Sequence, residues 1–151
     1  MGFKLDRIHL WSGEIADQPG GMAAKLAPLA QAGANLEYIN TRRLGNAPGK
    51  GVLYVAPVTG PGPVRAARSV GLSETHDIVV LRVEGDNEAG LGHRLTQQWA
   101  LAGISLHGLT LAVLGNKFVG YALFDTIGDA NRAAQILADL GTGTAEPRNS
   151  K

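Results

Sequence analysis

The chain repeats itself at a spacing of 70 residues, and this limits its possible folds before any other property is considered. Residues 14–36 and 84–106 share Glu14/Glu84, Gly20/Gly90, Ala30/Ala100, Ala32/Ala102, Gly33/Gly103 and Leu36/Leu106, six of 23 positions. With 21 glycines among 151 residues, such identities alone carry little weight. The order of features around them carries more. Each copy passes from an apolar stretch through a polar, glycine-containing turn into a helical stretch, a glycine stop and another apolar stretch, the mark of a repeated supersecondary unit. The length suits one ordinary domain or two small ones, and the repeat selects two. Units of about 70 residues lie near the lower limit for one self-sufficient core, so association is expected.

In the first copy, Leu5, Ile8, Leu10 and Trp11 predict a strand. Asp17-Gln18-Pro19-Gly20-Gly21 then supplies a turn and a helix entry, with Asp17 as the expected cap. Met22, Leu26 and Leu29 form a helical stripe, Pro28 is expected to loosen it, and Gly33 ends it. Leu36–Asn40 and Gly51–Val58 predict two strands joined across Gly45–Gly49, Val64–Val70 a helix, and Leu72–His76 a fourth strand. The second copy offers a strand over Asp77–Val83, a turn over Asn87–Gly90, and a helix with Leu91, Leu95, Trp99 and Ala102 on one face. Gly103 stops it, a hairpin follows from Ser105–Leu114 through Gly115-Asn116 to Lys117–Phe124, and Asp129–Leu140 predicts the last helix. Each copy follows the ferredoxin-like βαββαβ order, an α+β antiparallel sheet with helices on one face. The second copy has no final strand of its own; Phe3–Leu10, another chain, or nothing supplies it. The expected domains are 1–76 and 77–140, with 141–151 a mobile tail.

Composition excludes several classes. The chain is 44% hydrophobic and 18% charged, enough apolar material for a core. A net charge of +1 provides no field for a phosphate backbone, so no nucleic-acid partner is expected. Without cysteine there is no disulfide, thiol nucleophile or cysteine-ligated metal. The charged start and the lack of a long apolar run predict a cytoplasmic chain with no membrane partner.

Asp17-Gln18-Pro19-Gly20-Gly21-Met22, followed by Gly33-Ala34-Asn35-Leu36, resembles the ACT domain, in which a strand leads through an Asp/Asn-x-Pro-Gly turn into a helix ending in Gly-x-Asn-apolar. Asn87-Glu88-Ala89-Gly90-Leu91 and Gly103-Ile104-Ser105-Leu106 repeat the pattern with Ala89 in place of the proline. The resemblance runs from about Leu5 to Leu140 as two tandem units with no catalytic domain. It implies a regulatory protein that binds a small molecule, commonly an amino acid, at the strand-to-helix turns near interfaces between ACT units. It also implies a homodimer and a possible partner enzyme of amino-acid metabolism. Carried over by position, the ligand-binding residues are Asp17, Pro19, Gly20, Gly21, Met22 and Asn35 in the first copy and Asn87, Gly90, Leu91 and Ser105 in the second. Ile15 and Gly85 stand where some serine-binding relatives have histidine, which leaves the amino acid open. The chemistry stands without the resemblance: glycine admits a ligand to the backbone, a helix start offers amides to a carboxylate, and Asp or Asn can hold an ammonium group. The plainer alternatives are a turn that only caps its helix, and degenerate units that only mediate assembly.

Nothing else in the sequence competes. His9, His76, His93 and His107 lack metal-ligand spacing, and no Ser/His/Asp or paired-carboxylate constellation can be assembled. Neither catalysis nor a cofactor is expected. Gly49-Lys50 is followed by Gly51 where a phosphate loop needs Ser or Thr. Arg42-Arg43 and Arg65 with Arg68 read as solvated surface that a ligand carboxylate could recruit. Trp11 and Trp99 are expected in a core or interface.

Overall fold

The computed structural model describes residues 2–142 of the chain. Its elements run β1 (Lys4–Ile8), β2 (Trp11–Ala16), α1 (Gly21–Gln31), β3 (Tyr38–Arg43), β4 (Lys50–Ala56), α2 (Pro61–Ser69), β5 (Ser73–Glu74), β6 (Val79–Asp86), α3 (Leu91–Leu101), β7 (Gly108–Leu114), β8 (Lys117–Phe124) and α4 (Ile127–Thr142). They form two compact units: His9–His76, and the residues up to Ile8 together with those from Asp77 onward. Each has a four-stranded antiparallel sheet, in the order β3-β4-β2-β5 and β1-β6-β8-β7. Counted within its unit, each sheet has the ferredoxin-like order, with β1 taking in one the place β5 takes in the other.

The apolar run expected as a single first strand is therefore two strands, broken at His9-Leu10. The expected first domain of residues 1–76 differs at its start, because β1 pairs with β6 from Lys4↔Glu84 to Ile8↔Val80. Leu5 and Ile8 mark β1 as apolar in part but cannot name a partner more than 70 residues away. Among the described residues no strand follows α4, and Phe3 and Leu5 pack on the core that a strand in that place would otherwise cover. The last helix starts two residues before the expected Asp129, because the Thr126 hydroxyl accepts from the Asp129 amide at 3.0 Å and caps it. It also takes in Gly141 and Thr142 from the expected tail; residues 143–151 lie outside the described residues.

Each unit has its own core. In the first, Trp11, Ile15, Leu29, Leu53, Val55, Val58, Ala67 and Leu72 close the space between the sheet and α1 and α2. Pro28 does not end α1, which continues to Gln31. In the second, Leu81, Val83, Leu91, Leu95, Trp99, Phe118, Phe124 and Leu137 lie between the sheet and α3 and α4. Trp99 is a core residue: it meets Phe124 edge-on at 5.7 Å and its indole N–H donates to the Ala133 carbonyl at 3.2 Å, tying α3 to α4. Among the described residues no helix is long and apolar enough to cross a membrane.

The repeat extends to individual backbone bonds. Gly20 and Gly90 precede their helices with φ of 84° and 82°, and Gly33 and Gly103 follow them with φ of 83° and 75°. After each glycine stop, the next amide reaches back to the last helical turn: Ala34 donates to the Leu29 carbonyl and Ile104 to the Trp99 carbonyl, each at 3.0 Å. The four glycines shared between residues 14–36 and 84–106 all have a backbone outside the region open to other residues.

Candidate functional site

The Asp17–Gly21 turn is held at both ends. The Asp17 amide donates to the Gly49 carbonyl at 2.9 Å, the Gly21 amide to the Gln18 carbonyl at 3.0 Å, and the Ala24 amide to the Gly20 carbonyl at 2.9 Å. Asp17 does not cap α1 as expected: the N-cap is Gly20, and no side chain bonds the helix start. The Asp17 carboxylate turns instead to Arg43 on β3, 2.9 Å away. With no cap and no acidic residue in the first turn, the amides left over carry the positive end of the helix dipole. A Cβ on Gly21 would stand 2.1 Å from the Ala16 carbonyl oxygen, so only glycine lets the helix begin this close to the strand.

Two hollows flank this turn. One, of about 270 Å³, is lined by Ile15–Gln18 and Met22 on one side and by Thr41–Arg43 and Gly51 on the other. The Arg43 guanidinium faces the Asp17 carboxylate there; Arg42, next to it on β3, turns to the other face of the sheet and lies over the Tyr54 ring at 5.7 Å. The second, of about 550 Å³, is lined by Glu14–Ala16, Gln18–Gly21, Ala24, Lys25, Gly49 and Lys50. Lys25 donates to the Val70 carbonyl at 2.6 Å, and Lys50 lies 3.5 Å from Glu14.

The second unit builds the same turn with different filling. The Asn87 amide donates to the Asn116 carbonyl at 2.9 Å and the Arg94 amide to the Gly90 carbonyl at 3.0 Å. Leu91, which replaces Gly21, is 3% exposed and belongs to the core. The large residue beneath the turn has changed strands: Ile15 pairs with Gly51 in the first unit, and Gly85 pairs with Phe118 in the second. A Cβ on Gly85 would stand 2.9 Å from the Phe118 ring, so the exchange is steric. Charged groups at this turn are paired, Asp86 with Lys117 and Glu88 with Arg94. The hydrogen bond and charge of Lys117 hold the Asp86 carboxyl below its ordinary value.

Of the residues expected to bind a ligand, Asp17, Pro19, Gly20, Gly21 and Met22 are brought together around the first turn, with Asn87, Gly90 and Leu91 around the second. Asn35 and Ser105 are exposed and follow the far ends of α1 and α3. Eleven helical residues at a rise of about 1.5 Å each put some ~16 Å between a turn and the end of its helix. Arg43, Thr41 and Lys25 line the first turn's hollows without having been singled out as ligand contacts. Arg42-Arg43 was visible as a basic pair, but its approach to Asp17 depends on strand register. Among the described residues no cluster of three or more His, Cys, Asp or Glu could hold a metal.

No protein-family model and no curated protein matches the sequence. Solved structures do match the fold. The ligand-free regulatory subunit of aspartate kinase from Thermus thermophilus superposes with a TM-score of 0.64 at 18% identity, over 97% of this chain and 98% of that one. The corresponding subunit from Thermus flavus gives 0.58 at 20% identity, over 90% and 97%. The fold is that of two ferredoxin-like units in tandem, the arrangement that the ACT resemblance implies. A protein from Bacteroides thetaiotaomicron extends the likeness, with a TM-score of 0.72 at 11% identity over 91% of this chain and 90% of its own.

Proposed function

We propose that this chain is a non-catalytic regulatory protein that binds an amino acid at the strand-to-helix turn of its first ACT unit. The observation that supports this most is the first turn itself: an uncapped helix start and the Asp17–Arg43 pair border a hollow of about 270 Å³. That size is close to the lower end of the roughly 300–1,000 Å³ of small-molecule pockets, which suits a metabolite of few heavy atoms. The amides and Arg43 favour its carboxylate, and Asp17 its ammonium group. Asn35 and Ser105, remote from the turns of their own units, would join a site contributed by another ACT unit. In this reading the chain is a cytoplasmic homodimer acting on a partner enzyme of amino-acid metabolism; the match to regulatory subunits of aspartate kinase over nearly their whole length supports the regulatory role. Ligand binding would favour one arrangement of the units, and the partner would read that shift.

Thermal-shift measurement against the twenty amino acids tests the reading. One or a few should raise the melting temperature; a ligand at 100 times its Kd contributes about 2.7 kcal/mol. Asp17→Ala should abolish the shift and leave the unliganded melting temperature close to wild type, because an exposed ion pair contributes about 1 kcal/mol or less. No shift with any amino acid at millimolar concentration contradicts the proposal. The second reading, an assembly module without a ligand, is favoured at the second unit, where Leu91 is drawn into the core. It predicts no shift and an unaltered oligomer.

A further inference from the structure

Charge is scarce in the hollow of about 270 Å³ beside the first turn. One carboxylate and one guanidinium, Asp17 and Arg43, meet there at 2.9 Å, while Arg42 turns to the other face of the sheet. The other side chains of the hollow are neutral. Ile15, 9% exposed and fixed in the first unit's core, faces Gly51 across the strands, and Met22 stands 38% exposed on the first turn of α1. Gln18 and Thr41 add polar groups without charge. We propose that this hollow selects an amino acid with an aliphatic side chain, and that Ile15 and Met22 make the selection. This selection rests on the amino-acid reading of the turn and adds to it the class of side chain.

Once the ligand's carboxylate has taken Arg43 and its ammonium group Asp17, the hollow holds no further charge for a side chain to pair with. The cations of the neighbouring hollow are engaged, Lys25 with the Val70 carbonyl and Lys50 with Glu14. An acidic or basic side chain would lose its hydration without gaining a partner, whereas each methylene laid against Ile15 and Met22 gains apolar contact. Gly51 keeps Ile15 within reach, since a Cβ there would stand 3.3 Å from the Ile15 side chain. Met22, unbranched and partly exposed, can close over what lies on Ile15. A volume near the lower end for small-molecule sites leaves little room for an aromatic ring. The second unit lacks this chemistry position by position. Val113, opposite Phe118, stands where Arg43 stands opposite Gly51, and Leu111 stands where Thr41 does.

Isothermal titration calorimetry of the full chain with each of the twenty amino acids tests the selection. The tightest ligand should be valine, leucine, isoleucine or methionine, bound at least ~10-fold more tightly than alanine or any amino acid with a charged side chain. Met22→Ala should weaken that ligand about 10-fold, and Ile15→Val, which removes one methyl group, about 4-fold. Met22→Lys supplies the missing cation and should tighten aspartate or glutamate at least ~5-fold relative to the wild-type chain. A tightest ligand outside those four, or a Met22→Ala chain with unaltered affinities, would overturn the selection and leave the amino-acid reading standing. Absence of binding by all twenty would overturn both.

Discussion

Gly21 shows how much of the site a single hydrogen atom holds open. Its missing side chain lets α1 begin against the Ala16 carbonyl, and the counterpart Leu91 sits in the core of its own unit. Gly21→Ala forces a Cβ to within 2.1 Å of that oxygen, so the helix start has to move. A loss of about 1–3 kcal/mol is expected in urea unfolding, with the amides of the turn displaced in the NMR spectrum. Gly92, one position into α3, has open space around it, and Gly92→Ala should be neutral or slightly stabilising in the same measurement. The shared glycines were legible because positive φ demands them in both copies. The exchange of Ile15/Gly51 for Gly85/Phe118 was not, since each position reads as an ordinary strand residue until its cross-strand neighbour is known. Asp17 illustrates the same limit: its residue type fits a cap, and the strand register hands it to Arg43.

Among the elements, β1 departs furthest from the order of the chain. Its apolar residues were readable as a strand of the first copy, and Phe3–Leu10 was one of three possible sources of the second unit's last strand, because pairing with β6 is a long-range choice. Helices and hairpins were recovered within a few residues, since their signals are local. The sheet membership of β1 has a measurable consequence. The Asn87 amide serves the β8 hairpin, so by alternation the Arg82 and Glu84 amides face β1. Deleting residues 1–8 should make those two amides exchange with solvent at least ~10-fold faster, while β2–β4 amides in the first unit keep their protection. Unchanged exchange at Arg82 and Glu84, or loss of protection in the first unit alone, would contradict the assignment of β1.

The whole molecule is one supersecondary design used twice, with unequal fillings at corresponding turns. Both helix starts lack a side-chain cap, but the first turn is flanked by two hollows, whereas the second draws Leu91 into the core, pairs Asp86 and Glu88 with cations, and has one hollow of about 340 Å³ beside Gly85 and Lys117. The two units should therefore respond differently to the same small molecule. Amide NMR of the uniformly labelled chain, titrated with each of the twenty amino acids to millimolar concentration, tests this directly. At least one amino acid should shift Gly20, Gly21 and Met22 saturably, with smaller changes at Gly90 and Leu91. Shifts confined to the second turn, or none at either turn with any of the twenty, would contradict it.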